Sequence, residues 1–387
     1  VPQPSSALIV GAGLGGLTAA LALSRAGWRV HMCEQARTLG EVGAGITLSP
    51  GACRGLASLG LEDAIIAASL PVPDIAFVHY RTGELLAGAL HAEPAADHGL
   101  AGPRHIHRAD LHSILVRELR RIAPDSIETG KRLVGVEHGS SAIARFDDGS
   151  SRAAPLLIAA DGTRSAVRRL LFDAAPPQFA GQIAFRCLIP ADAAAPFMRG
   201  AAVSIGAARI FNRYWIRRRT LVNVIGIARS ERWREEGWNT PATVREFRDE
   251  FAGFHEDVLG LIDRAPADHL IKWGLFVRPP LADWIAGNVV LLGDAAHPIL
   301  PFLGLGAALA IEDGIVLARA LAQADVPSAL RAFQRARNDR VDDVRTRSIQ
   351  QGEIIQAADP DRNSVSRSPS QSTPLFDYDP CTAPIPL

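Results

Sequence analysis

Residues 7–16 limit what this chain can become more than any other stretch of it. A short apolar run, Ala7–Val10, leads into Gly11-Ala12-Gly13-Leu14-Gly15-Gly16; Leu17–Ala26 follows with helix-forming residues, and Trp28–Glu34 is a second apolar run closed by an acid. A strand that turns tightly into a helix and returns as a parallel strand is a β-α-β unit. In the glycine pattern, the first position, Gly11, allows the turn. The third, Gly13, lets backbone approach a pyrophosphate, and the sixth, Gly16, lets the helix pack closely on the strand. The helix N-terminus then faces the phosphates. Glu34 lies 23 residues beyond Gly11, at the strand end. There a carboxylate accepts hydrogen bonds from ribose hydroxyls and disfavours a 2′-phosphate.

Composition narrows the partners. The 387 residues are 48% hydrophobic, enough for one large core or two joined ones. Lys plus Arg and Asp plus Glu both number 41, so no global field favours nucleic acid or an acidic membrane, and small molecules are the expected ligands. Cys33, Cys53, Cys187 and Cys381 form no C-x-x-C pair. His105 and His107 alternate on one strand face without a third ligand, so no metal is expected. The N-terminus shows no secretory signal pattern, and a cytoplasmic location is the expectation. Val289–Ile311 is almost wholly apolar, but Asp294, His297, Pro298, Pro301 and its glycines argue for buried strand, loop and helix instead of a membrane span.

Two further apolar runs, Leu156–Ala160 and Asn288–Leu292, each end in an acidic–glycine turn, as parallel strands of the same sheet would. Between Pro176 and Trp273 aromatic, aliphatic and arginine residues alternate, which predicts half-buried antiparallel strands in a second, covering domain. Residues 326–358 carry apolar residues at helical spacing and predict a long surface helix. From Asp359 the chain is rich in Pro, Ser and Asp. A loosely held tail is expected there, anchored at most by Leu375-Phe376-Asp377-Tyr378.

The turns after the two later strands are Ala160-Asp161-Gly162-Thr163-Arg164-Ser165 and Gly293-Asp294-Ala295-Ala296-His297-Pro298. Found in this order behind the glycine fingerprint, they make the chain resemble the FAD-dependent aromatic hydroxylases, the family of p-hydroxybenzoate, salicylate, 3-hydroxybenzoate and 6-hydroxynicotinate hydroxylases. The resemblance runs from Ala7 to about Ile355. It also includes Gly43-Ala44-Gly45-Ile46, Ile106–Leu111 and Pro301–Ala308, which look like the family's flavin-lining segments. It implies an α/β fold: a Rossmann-like FAD-binding domain (1–70, 101–175, 274–325), an inserted antiparallel-sheet substrate domain (71–100, 176–273), a C-terminal helix (326–358) and a tail (359–387).

The same resemblance implies FAD held by Gly11, Gly13, Gly15, Gly16, Glu34, Arg37, Gly45, Arg108, Leu133, Asp161, Asp294, Pro301, Gly304, Gly306 and Ala307. NADH or NADPH would be a transient co-substrate, and a single Rossmann fingerprint is compatible with that. The implied chemistry is hydride transfer to FAD, oxygen addition at flavin C4a, and hydroxyl transfer to a small, carboxylated aromatic or heteroaromatic ring, in a monomer or homodimer. Backbone N–H groups where Gly304–Ala308 enters a helix suit a reduced flavin's negative charge. Arg108 offers a fork of donors.

The substrate side departs from the family pattern. Thr47 stands where 6-hydroxynicotinate hydroxylases carry His, Arg209 and Arg213 lie where salicylate-like members have a strand His, and Leu305 replaces a common Gln. A ready general base is therefore missing. The catalytic candidates are Tyr214, Arg213 and Thr47, with Arg209 and Arg213 on one strand face as a carboxylate clamp. Phe185 and Arg186 are further pocket candidates, and His297 reads as structural. Two alternatives stay open: a flavin-dependent dehydrogenase or reductase on the same scaffold, or a flavin-binding module with impaired chemistry.

Overall fold

Ser6–Val10 runs between two parallel neighbours, Arg29–Glu34 on one side and Leu156–Ala159 on the other, and Val289–Leu291 extends the sheet beyond the latter. Ala7–Val10, Leu156–Ala159 and Val289–Leu291 are buried throughout, which is why they read as unbroken apolar runs. Chain order reverses at Ser6–Val10, since the second strand pairs to one side while Leu156–Ala159 and then Val289–Leu291 lie on the other. A crevice opens beyond the strand ends at such a switch point. The computed structural model describes residues 5–40, 43–73, 75–88, 97–173, 175–231, 240–356 and 374–387.

An eight-stranded sheet forms the covering layer, with Gln178–Pro190, Leu221–Arg229, Arg209–Ile216 and Ala202–Gly206 at its centre. Period-two alternation gives this sheet two different faces. Phe185 and Phe211 pack against Phe247 and Phe251 of short covering helices, while Ile210, Ile227 and Leu275 belong to the opposite face. The expected antiparallel sheet is not wholly so: Ala202–Gly206 pairs in parallel with Ala76–His79. A strand arriving from a distant segment is not bound to hairpin geometry, and alternation in sequence carries no direction. A small antiparallel sheet of Gly45–Leu48, Arg104–His107 and Ser69–Pro71 joins the two layers.

The helix Val326–Ile355 is present, but it is not simply a surface helix. Arg337 is fully buried and donates to Asp313 (2.7 Å) and Glu312 (2.9 Å), while Arg340 binds Glu312 (3.0 Å). Arginine read as solvent-facing is here a buried ion-pair partner, which a helical pattern alone does not reveal. The tail is anchored where expected, at residues 375–378, and also beyond it. Leu375 is buried, and Tyr378 lies over the guanidiniums of Arg337 and Arg340 (4.9 and 4.8 Å). Asp379 pairs with Arg54 at 3.0 Å, and Arg319 donates to the carbonyls of Pro380 and Ala383. The contacts at 379–383 were not legible because the receiving arginines lie far away in sequence; residues 357–373, the rest of the expected tail, fall outside the described ones. Among the described residues no helix is long and apolar enough to cross a membrane, and 289–311 forms a strand, short turns and the start of the helix Gly306–Leu321.

Candidate active site

The three turns meet. Gly11 has φ +101°, and a Cβ there would run into the carbonyl oxygen of Ala160, so the first turn rests directly on the second. Gly15 faces Leu292 and Ala310, and Thr163 of the second turn donates to Asp294 of the third at 3.4 Å. By contrast a Cβ on Gly13, Gly304 or Gly306 would meet nothing within 4 Å. Those backbones border open space.

Glu34 is fixed from both sides. Its carboxylate accepts from the N–H groups of Ala12 and Ala36, both at 2.8 Å, which leaves further lone pairs for a ligand. His112, which sequence reading passed over, steadies the glycine turn by donating to the Ala12 carbonyl (2.9 Å). Asp161 accepts from Ala166 (2.8 Å) and Val167 (3.3 Å) at a helix start, while its other oxygen is buried and unpartnered. Burial raises the Asp161 carboxyl above its ordinary range. Asp294 is also raised by its surroundings, against the pull of His297 and Arg108, yet its side chain is solvent-exposed. A carboxyl enclosed by protein and still open to water lines an internal crevice. Arg108 faces it there, its pKa lowered by burial and supported by Asp294.

These features fit FAD. The crevice offers a helix N-terminus, glycine backbone without steric cover, a ribose-type carboxylate at Glu34, and Arg108 beside Asp294. Arg37 and Leu133 stand apart from the turns, on the Glu34 side, where Lys131 N–H donates to the Glu34 carbonyl (2.8 Å). Arg37 is exposed, and Leu133 is buried in a neighbouring hairpin. Gly45 is clamped by Arg186, which donates to its carbonyl (3.0 Å), and by Asn223, which accepts from its N–H (2.7 Å). His297 is structural as read: it is buried against Asp313 at 2.7 Å. Leu305 is packed into the core.

Beyond the third turn lies a cavity of about 250 Å³ whose wall includes Pro301, Gly304, Thr47 and Tyr214. Tyr214 stacks on His105 with ring centroids 3.9 Å apart, and Thr47 Oγ1 lies 3.1 Å from His105 Nδ1. Burial pushes the Tyr214 phenol up to about 12, against the pull of Arg186 and Thr47. Burial also lowers His105 to about 3. Both rings are therefore neutral at neutral pH. Sequence reading weighed His105 only as a metal ligand, because its partnership with Thr47 arises from strand register, Thr47 opposite His105.

Arg213 is not part of this cavity. It points to the other face of the sheet, bonds Ser204 (2.8 Å) and sits near Asp257; burial lowers its pKa to about 10. Arg209 pairs with Glu250 (3.0 Å), and Phe185 stacks on Phe247 (4.7 Å). The expected clamp is absent because neighbours in a strand face opposite ways, so Tyr214 and Arg213 cannot share a site. A separate open groove of about 860 Å³, bounded by Gly139, Asn288 and Arg335, contains none of the crevice residues.

Comparison with known proteins agrees with this geometry. Residues 5–208 and 240–348 match the family described as FAD binding domain. The chain is 34% identical over 376 residues to a 3-amino-4-hydroxybenzoate 2-monooxygenase of Streptomyces platensis, covering 96% of this chain and 93% of the relative. It is 35% identical over 325 residues to a 6-hydroxynicotinate 3-monooxygenase of Pseudomonas fluorescens, covering 81% of each. Among solved structures, HpxO of Klebsiella pneumoniae complexed with FAD and uric acid superposes with a TM-score of 0.80 at 26% identity, covering 92% of this chain and 90% of that one. Fold, crevice and relatives lead to one assignment: the chain belongs to the FAD-dependent aromatic hydroxylases and is an FAD-dependent monooxygenase.

Proposed function

We propose that the chain hydroxylates a small hydroxylated ring in the cavity between Tyr214 and the Pro301–Gly304 turn, with NADH or NADPH as reductant and O₂ as oxidant. The observation that carries this reading is the shared wall: Thr47, His105 and Tyr214 line the same cavity as Pro301 and Gly304. Bound FAD supplies the redox and oxygen chemistry. The protein's part is positioning and exclusion of water. The neutral Tyr214 phenol and the Thr47 hydroxyl can each give and accept a hydrogen bond. They hold a ring hydroxyl in place, while His105 orients Thr47. With its pKa near 3, His105 acts as an orienting partner and not as a free-standing base. The enclosing walls keep bulk water from the reacting ring.

The test is anaerobic reduction of the purified yellow protein by NADH and by NADPH, with and without hydroxylated ring compounds, followed by mass analysis under isotopically labelled O₂. Faster flavin bleaching with a ring, and one labelled oxygen in the product, is the expected result. Reduction indifferent to every ring, with no oxygen incorporated, overturns the reading.

A further inference from the structure

We infer that the ring accepted here is uncharged and carries an apolar substituent, in place of the carboxylate that the sequence alone suggests. This rests on the hydroxylase reading of the cavity and names the substrate class for it.

The wall decides the charge. Among the described residues lining the cavity there is no Lys, Arg, Asp or Glu. The arginines expected to clamp a carboxylate lie outside this wall: Arg209 pairs with Glu250 and Arg213 bonds Ser204, while Arg186 donates to the Gly45 carbonyl and lies over the Trp273 ring (5.7 Å). A carboxylate entering this space gives up its water, and no cation lines the wall to pair with it; Arg186 acts on Tyr214 from outside the lining and is itself held by the Gly45 carbonyl, so such burial is unfavourable. Burial keeps Tyr214 and His105 themselves uncharged.

The wall also decides the shape. Its clustered polar groups, Thr47, His105 and Tyr214, are linked by a hydrogen bond and a ring stack. Much of the remaining surface is hydrocarbon, including Val72, Ile75, Phe77, Ile227, Ile355 and Phe376. A ligand matching both parts has a hydroxyl at one end for the polar cluster and alkyl or aryl bulk to fill the rest. Phe376 comes from the docked tail and adds an aromatic face to the apolar wall.

Matched pairs test this on the FAD-loaded enzyme: 3-hydroxybenzoate against its propyl ester, and 4-hydroxyphenylpropanoate against 4-butylphenol. Dissociation constants are read from perturbation of the flavin spectrum, and stimulation from the rate of flavin reduction by NAD(P)H. The neutral member of each pair should bind at least about tenfold more tightly and stimulate reduction more strongly. Asn212→Arg, which places a cation on the cavity wall, should shift the preference toward the acids; retained flavin absorbance shows that the variant has folded. Acids that match or beat their neutral partners in the wild type overturn this inference and leave the hydroxylase reading standing, because a ring still stimulates reduction. If neither class binds or stimulates, the cavity is not the ring site and both readings fail together.

Discussion

The crevice formed by the three turns and the cavity behind Tyr214 adjoin at the Pro301–Gly304 turn, but they are assembled differently. On the crevice side, much of the binding surface is main chain or a single fixed carboxylate, and each piece lies within a few residues of a strand end. On the cavity side, the wall is collected from segments as distant as Thr47, Val72, Tyr214, Ile355 and Phe376, and almost all of it is side chain. A phosphate-and-ribose ligand is recognised by backbone geometry that tolerates little variation. A ring is recognised by surface complementarity, which many residue sets can supply.

That contrast implies that the two sides fail separately. The largest effect is expected from Gly11→Val, since a side chain at φ +101° collides with the Ala160 carbonyl. FAD affinity should fall by at least about 100-fold, read as flavin lost on gel filtration, because strain at such a position is among the severe classes of substitution. Tyr214→Phe is the mirror experiment. It should keep its flavin and lose roughly 10–100-fold in ring-stimulated reduction, the cost of one buried hydrogen-bonding group. If flavin is lost as well, the two sides are not independent.

His105 sharpens the comparison through pH. Its folded pKa, about 3, lies below the ordinary 6.5, so the unfolded chain binds the proton more readily. The stabilisation is complete above pH 6.5 and is lost as pH falls from there toward 3. At pH 5 the loss is about 2 kcal/mol. Urea midpoints measured at pH 7 and pH 5 should therefore separate less for His105→Gln than for the wild type; equal separation would show that His105 is not buried in neutral form. Glu34→Ala should have the smallest effect of the four. It removes the acceptor for Ala12 and Ala36 and weakens FAD about tenfold, measurable by flavin fluorescence titration, while leaving ring preference unchanged.

The same contrast explains what could be read from the sequence. The turns carrying Gly11, Gly13, Glu34, Asp161 and Asp294 were legible because each is tied to a strand end by short spacing, and the structure packs those turns against one another. Thr47 was picked out by resemblance and Tyr214 by its place on a predicted strand, but His105 was not foreseen beside them: it meets Thr47 through strand register and Tyr214 through packing between sheets. Arg213 was misplaced for a related reason. Alternation identifies which residues share a face, and only the tertiary fold shows which face turns inward. The buried Arg337 and Arg340 were legible as helix and illegible as core, since their carboxylate partners lie on a different helix.

Phe376 has a consequence for how the enzyme comes into being. During synthesis the β-α-β unit at the start of the chain is complete long before residue 376 leaves the ribosome, and early segments can fold as units while the rest is still emerging. A nascent chain at that stage holds the first glycine turn and Glu34 and still lacks the Phe376 face of the cavity wall. The apolar end of the cavity is thus completed only once the tail has reached the arginines of the long helix that hold it.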